Sequence, residues 1–176
     1  RTFVQRQVAG YVRSGDNLIL SPAGLLARLN EEMAREDLEK HLTMFYGIID
    51  LTQDTLLYAN AGHFPWPVLW GSGQVRVLEH PSVPVGMVPG TRYEEHRLAL
   101  GDGATLSVFS DGVLETLPMP TMDAKLQYLQ GFFGRSDVTV EQARDALHLD
   151  RGTALADDVA LLIIQRGETD GIHATA

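Results

Sequence analysis

The sequence contains no cysteine, which excludes disulfide bonds, a thiol nucleophile and thiolate metal ligands. It has no apolar run near the roughly 18 residues that a membrane-spanning helix needs, and residues 1–6 lack a signal-peptide core. Basic residues are scarce, because 14 Lys and Arg stand against 23 Asp and Glu, for a net charge of -9. That charge disfavours nucleic acid and anionic membranes as partners. We therefore predict a soluble, cytoplasmic protein in which oxygen or imidazole groups would bind any metal.

Several common catalytic motifs are also missing. The sequence has no G-x-x-x-x-G-K-[ST] loop, no G-x-G-x-x-G after a strand, no G-x-S-x-G and no H-E-x-x-H. The usual nucleotide-binding, serine-hydrolase and zinc-protease functions therefore lack their parts. A chain of 176 residues suits one domain, which we place at residues 1–167. Residues 168–176 have no apolar pattern and are predicted to be a disordered tail.

Hydrophobic periodicity predicts helices at both ends of a series of strands. Predicted helices cover residues 3–12, 22–35, 123–133 and 140–147, and predicted strands cover residues 42–49, 55–59, 68–70, 75–78, 93–98, 104–109 and 159–164. The last two strands are apolar enough to be buried. Short turns between the early strands indicate hairpins, so we predict an α+β fold with antiparallel sheets and flanking helices.

Acidic residues stand where two of these strands end or begin. Asp111, followed by Gly112, comes directly after the strand 104–109, and Asp157 with Asp158 directly precedes the strand 159–164. Taken singly, each is explained somewhat better by a turn than by a metal ligand. If the two strands are antiparallel neighbours, however, Asp111 and Asp157 lie at the same edge, where hard oxygen ligands favour magnesium or manganese.

A third feature is the turn after the strand 55–59. Asn60 and His63 flank an Ala-Gly step, and a proline-bracketed Trp66 follows. A lone histidine is more often structural than functional, and His63 is either a residue at the mouth of the site or a turn residue. The exposed turn around Trp66 is a candidate interface, and a homodimer is one assembly that it would serve.

Five segments in a fixed order resemble the SpoIIE and RsbU branch of the PPM phosphatases. They read YANAGHFP at 58–65, VPVG at 83–86, GDG at 101–103, FSDGVLE at 109–115 and DDV at 157–159. Residues 40–51, together with 109–112, are similar to the output domain of RssB-type response regulators.

The resemblance implies two antiparallel sheets packed face to face between outer helices, in α-β-β-α layers. It implies a binuclear Mn²⁺ or Mg²⁺ centre with Asp111 and Asp157 as ligands. Asp158 and Gly112 would lie beside these ligands, with Asn60 and His63 at the mouth of the site. The family's other metal aspartates come from an N-terminal strand and a Gly-Asp, Gly-His-Gly segment, which we expect upstream of Arg1.

Two functions follow from the resemblance. The first is a metal-dependent serine/threonine phosphatase that acts on an anti-sigma-factor antagonist in general-stress signalling, with a receiver domain ahead of it. The second is an inactive, phosphatase-like adaptor that binds a sigma factor or its antagonist. Retained acids at both strand ends favour the enzyme, whereas the ligands that are absent from the sequence favour the adaptor.

Overall fold

The computed structural model describes residues 2–15, 17–36, 40–149 and 158–167. Helices occupy Thr2–Ser14 (α1), Pro22–Arg35 (α2), Gly112–Thr116 (α3), Met122–Phe133 (α4) and Val140–Ala146 (α5), and a short 3-10 helix occupies Asn17–Leu20. Strands occupy Met44–Asp50 (β1), Thr55–Ala61 (β2), Val68–Gly71 (β3), Gln74–Val77 (β4), His96–Ala99 (β5), Thr105–Phe109 (β6) and Leu161–Gln165 (β7).

The chain forms two compact units, each built from two separate segments. The first unit comprises Arg1–His63 and His80–Ala99, and the second comprises Phe64–Glu79 and Leu100–Ala176. The first unit contains an antiparallel sheet in the order β1-β2-β5. The second contains an antiparallel sheet in the order β4-β3-β6-β7.

Helix α2 shows how the sequence builds the first unit. The Ser21 hydroxyl accepts a hydrogen bond from the Gly24 amide at 3.2 Å, and Pro22 occupies the first turn, where no amide hydrogen is needed. The apolar face of the helix is fully buried and packs with β2 residues Ala59 and Ala61. The members of that face are Leu25, Leu26, Leu29 and Met33.

The core of the second unit lies between one face of its sheet and helices α4 and α5. Phe109 on β6 contacts Phe133 of α4 edge-on, with ring centroids 4.8 Å apart. Helix α5 begins with a capping box, in which Thr139 and Gln142 each accept a hydrogen bond from the other's backbone. The buried members of this core include Val68, Phe109, Leu129, Phe133 and Leu147.

The predicted α+β class with antiparallel sheets is confirmed. The predicted hairpins are β1-β2 and β3-β4, and the second turns through Ser72 and Gly73, both with positive φ. The prediction that the last strand is buried is wrong. Side chains alternate between the two faces of the sheet along β7, and the core of the second unit covers only the face of Leu161 and Ile163, so Leu162 is 55% exposed. The strand predicted from residue 93 begins at His96.

Within the described residues, no helix has both the length and the apolar character needed to cross a bilayer.

Candidate active site

Ser110 joins the end of β6 to the entrance of β7. Its hydroxyl donates to the carbonyl oxygen of Asp158 at 3.1 Å and accepts from the amide of Ala160 at 2.8 Å. Its own amide donates to the carbonyl of Ala160 at 2.9 Å. These three bonds continue the antiparallel β6-β7 ladder beyond Phe109, which pairs with Leu161. The strand arrangement expected from the sequence is therefore confirmed.

Gly112 is required by the same junction. A Cβ atom at Gly112 would lie 2.3 Å from the carbonyl oxygen of Asp158 and 2.9 Å from its carbonyl carbon. No side chain fits in that space, because the two backbones are already in contact. The resemblance to the phosphatase family placed Gly112 beside the proposed metal ligands. Its close approach to the segment that leads into β7 is an additional role.

Asp111 caps the short helix α3, with its side chain outside the core. Its Oδ1 accepts a hydrogen bond from the Gly112 amide at 3.1 Å, and the residue is exposed to solvent. A carboxylate has about four acceptor positions, so most of the coordination capacity of Asp111 is not used by that bond. Oxygen ligands of this kind suit Mg²⁺ and Mn²⁺.

Of the two acids predicted at the entrance of β7, the structure describes one. Asp157 lies outside the described residues. Asp158 is exposed, and its backbone carbonyl, rather than its carboxylate, makes the contacts with Ser110 and Gly112. The structure thus brings together Ser110, Asp111, Gly112 and Asp158.

Asn60 and His63 lie in the first unit, where Asn60 holds the turn. Its side-chain oxygen accepts from the His63 amide at 3.0 Å, and its Nδ2 donates to the carbonyl oxygens of His63 and His80 at 3.2 and 2.8 Å. Asn60 is 3% exposed, and these bonds replace the hydrogen bonds to water that its amide loses on burial. The His63 ring packs near Phe45, with centroids 6.1 Å apart.

The donor set can be tested for a metal centre only in part. Among residues 2–15, 17–36, 40–149 and 158–167, no three His, Asp or Glu side chains converge as a metal site. The chemistry of Asp111 fits a hard cation, yet the described carboxylates alone do not form a binuclear centre. Further ligands, from Asp157 or from elsewhere, are needed.

Two features of functional interest were not predicted from the sequence. The first is the set of hydrogen bonds that Ser110 makes to the segment before β7, although the position of Ser110 next to a strand end was a signal that it could bind a neighbouring strand. The stacked rings of His80 and His96 had no signal, because 16 positions separate them and their contact depends on folding.

Comparison with known proteins agrees with this architecture. A family model described as Stage II sporulation protein E (SpoIIE) matches residues 3–167. Protein IcfG of Synechocystis sp. is 27% identical over 146 residues, which cover 78% of this chain and 23% of that protein. Phosphoserine phosphatase RsbP of Bacillus subtilis is 28% identical over 103 residues, which cover 54% of this chain and 25% of that protein. The chain thus spans about a quarter of the length of these relatives.

Two solved structures share the fold. The RsbU and RsbW domains of Rv1364c from Mycobacterium tuberculosis superpose with a TM-score of 0.67 at 23% identity, over 93% of this chain and 46% of that one. RsbX in complex with magnesium superposes with a TM-score of 0.59 at 18% identity, over 80% of this chain and 62% of that one. Because the family model matches residues 3–167, nearly the whole of this chain, the chain belongs to the SpoIIE family and has the fold of that family's PPM-type phosphatase domains.

Proposed function

We propose that this chain is the phosphatase domain of a metal-dependent serine/threonine protein phosphatase, with Asp111 and Asp157 as metal ligands. The supporting observation is the junction between β6 and β7. Ser110 and Gly112 fix the backbone of Asp158 against the end of β6, next to Asp111. Asp157 directly precedes Asp158 in the sequence.

Each residue of the junction has a distinct part in this proposal. Asp111 supplies carboxylate oxygens from an exposed helix start, where the Gly112 amide orients one of them. Ser110 holds the two strand ends in register, and in this proposal that register lets Asp111 and Asp157 bind the same cations. When bound, divalent cations at such a site lower the pKa of a water molecule and offset charge on the phosphoryl oxygens.

The proposed substrate class and signalling context are supported by the names of the relatives. RsbP is named a phosphoserine phosphatase, which favours phosphoserine or phosphothreonine in a protein as the substrate. The proposed substrate is an anti-sigma-factor antagonist, and the proposed setting is the output domain of a response regulator in general-stress signalling. Because the chain covers only 23% of IcfG and 25% of RsbP, other domains of the full-length protein belong to this proposal.

The test is phosphate release by the full-length gene product from a phosphoserine peptide in the presence of Mn²⁺. We expect Asp111→Asn to lower the rate by at least about a hundredfold, since an amide is a weak, uncharged ligand for a hard cation. The matched control is Asp102→Asn, an exposed aspartate in the turn that precedes the same strand β6, and it should retain the full rate. Equal rates for the wild type and Asp111→Asn would reject Asp111 as a ligand.

The second candidate function is an adaptor that binds a sigma factor or its antagonist without hydrolysis. It is favoured by one observation: the part of the chain that the structure describes contains no convergent group of three metal-ligating side chains. For the adaptor, we expect the full-length protein to bind a purified sigma factor or antagonist equally well with Mn²⁺ and with EDTA. Mn²⁺-dependent phosphate release would count against this alternative.

A further inference from the structure

The first unit contains a small cavity that the proposed metal centre does not use. Its volume is about 130 Å³, and its walls include Arg92, Ser82, His80, His96 and Glu94. The walls come from β5, from the segment that joins β4 to β5 and, through Asn60, from β2. Four of these five side chains can donate hydrogen bonds, and only Glu94 is an acid.

Folding fixes the two imidazoles of this cavity in place. The rings of His80 and His96 stack with centroids 3.5 Å apart and an interplanar angle of 16°. Tyr58 is paired with His96 across the sheet, and its buried ring packs near both imidazoles. The ring centroid of Tyr58 lies 5.8 Å from that of His80 and 5.4 Å from that of His96. The Asn60 amide also donates to the carbonyl oxygen of His80. The wall is therefore preorganised, which lowers the entropic cost of binding a ligand.

The other two donors are available to a ligand. Neither the guanidinium of Arg92 nor the hydroxyl of Ser82 makes a hydrogen bond or ion pair with the described residues. A guanidinium presents two parallel N–H groups that match the oxygens of a phosphate. One acid also lines the cavity: the Glu94 carboxylate lies 3.9 Å from His96 Nε2, and its side chain is 88% exposed, so water screens its charge from a bound anion.

We propose that the cavity lined by Arg92, Ser82, His80 and His96 binds the phosphate group of a phosphate monoester or of inorganic phosphate. Arg92 supplies the positive charge and a two-pronged contact, Ser82 supplies an O–H donor, and the stacked imidazoles form the rigid wall beside them. The choice of phosphate over a carboxylate rests on the proposed phosphatase function, in which both the substrate and the product carry that group. The binding itself requires neither the metal centre nor turnover.

The experiment is a calorimetric titration of the full-length protein with inorganic phosphate in EDTA, which removes metal-bound phosphate from the signal. We expect saturable binding that Arg92→Gln weakens by about tenfold or more, since one charge-assisted bidentate contact is lost. Arg76→Gln is the matched control, because Arg76 is an exposed arginine on β4, outside this cavity, and its loss should leave the affinity unchanged. Ser82→Ala is a second variant and should weaken binding by a smaller factor.

A second arm of the same titration distinguishes the two sources of phosphate. A phosphoserine peptide that binds, while its unphosphorylated form does not, identifies a phosphorylated protein as the ligand. Binding of inorganic phosphate alone identifies the reaction product. No binding of either probe, or equal affinities of wild type and Arg92→Gln, overturns the proposal. Because EDTA prevents turnover, these results are independent of whether Asp111→Asn abolishes phosphate release.

Discussion

Gly112 is a single residue at which two distant parts of the chain meet, because its backbone lies against the carbonyl group of Asp158. A side chain at position 112 would have to move the backbone that leads into β7, because a Cβ atom added there would lie 2.3 Å from the carbonyl oxygen of Asp158. Backbone atoms in a paired ladder cannot shift as a flexible side chain can. The cost of any substitution therefore includes both strain and a weakened β6-β7 junction.

We predict that Gly112→Ala lowers the free energy of unfolding by about 1–3 kcal/mol, the range seen when extra atoms are forced into a packed site. Gly131→Ala is the matched control. Gly131 lies in helix α4, and a Cβ there has no atom within 4 Å, so alanine should raise stability by roughly 0.5–1 kcal/mol through its helix propensity. Urea denaturation measures both. A neutral Gly112→Ala would contradict the described approach of the two backbones.

Part of the site was predictable residue by residue. The Asp111-Gly112 motif is local, because an acid and a glycine after an apolar strand carry their chemistry in adjacent positions. The partners of Gly112 and Ser110 are not local, since they lie 46 to 50 positions further along the chain. No periodicity in the sequence indicates which backbone atoms will meet there.

At the scale of the elements, the long helices and the hairpins were predictable from short-range signals. Helix α2 has its cap, its proline and its apolar face within 14 residues, and the predicted span agrees with the observed one. Helix α3 was not predicted, because its five residues are too short to display a helical period.

Strand β7 shows where a composition signal misleads. Its apolar run resembles that of a strand covered on both faces, but the strand lies at the end of the sheet order. Ile163 faces the core of the second unit, whereas Leu162 and Ile164 are 55% and 37% exposed. Burial of a strand's side chains depends on what packs against each face of its sheet, and the apolar run alone does not indicate that packing.

At the scale of the whole molecule, two buried phenols couple stability to alkaline pH. Burial raises the pKa of Tyr58 to about 12 and that of Tyr93 to about 12. In the unfolded chain both phenols lose their protons near pH 10, whereas in the folded chain they keep them until about pH 12. The folded state therefore binds more protons in that window, and the free energy of unfolding falls as pH rises through it.

We expect urea midpoints measured from about pH 9 to about pH 11.5 to decline steeply for the wild type. Each of Tyr58→Phe and Tyr93→Phe should make the decline shallower, because one titrating group is removed. The contribution of both tyrosines is complete below pH 10, so the slopes of all three proteins should agree near neutral pH. Parallel curves for wild type and both variants at alkaline pH would contradict the burial of these two hydroxyls.

The proposed phosphatase function requires that Asp111, after β6, and Asp157, before β7, bind the same metal centre. This requirement is tested by the affinity of the full-length protein for Mn²⁺, measured by titration with electron paramagnetic resonance detection of unbound Mn²⁺. We expect Asp157→Asn and Asp111→Asn each to weaken Mn²⁺ binding by about tenfold or more, while Asp102→Asn leaves it unchanged. Wild-type Mn²⁺ affinity in both Asp157→Asn and Asp111→Asn would contradict it.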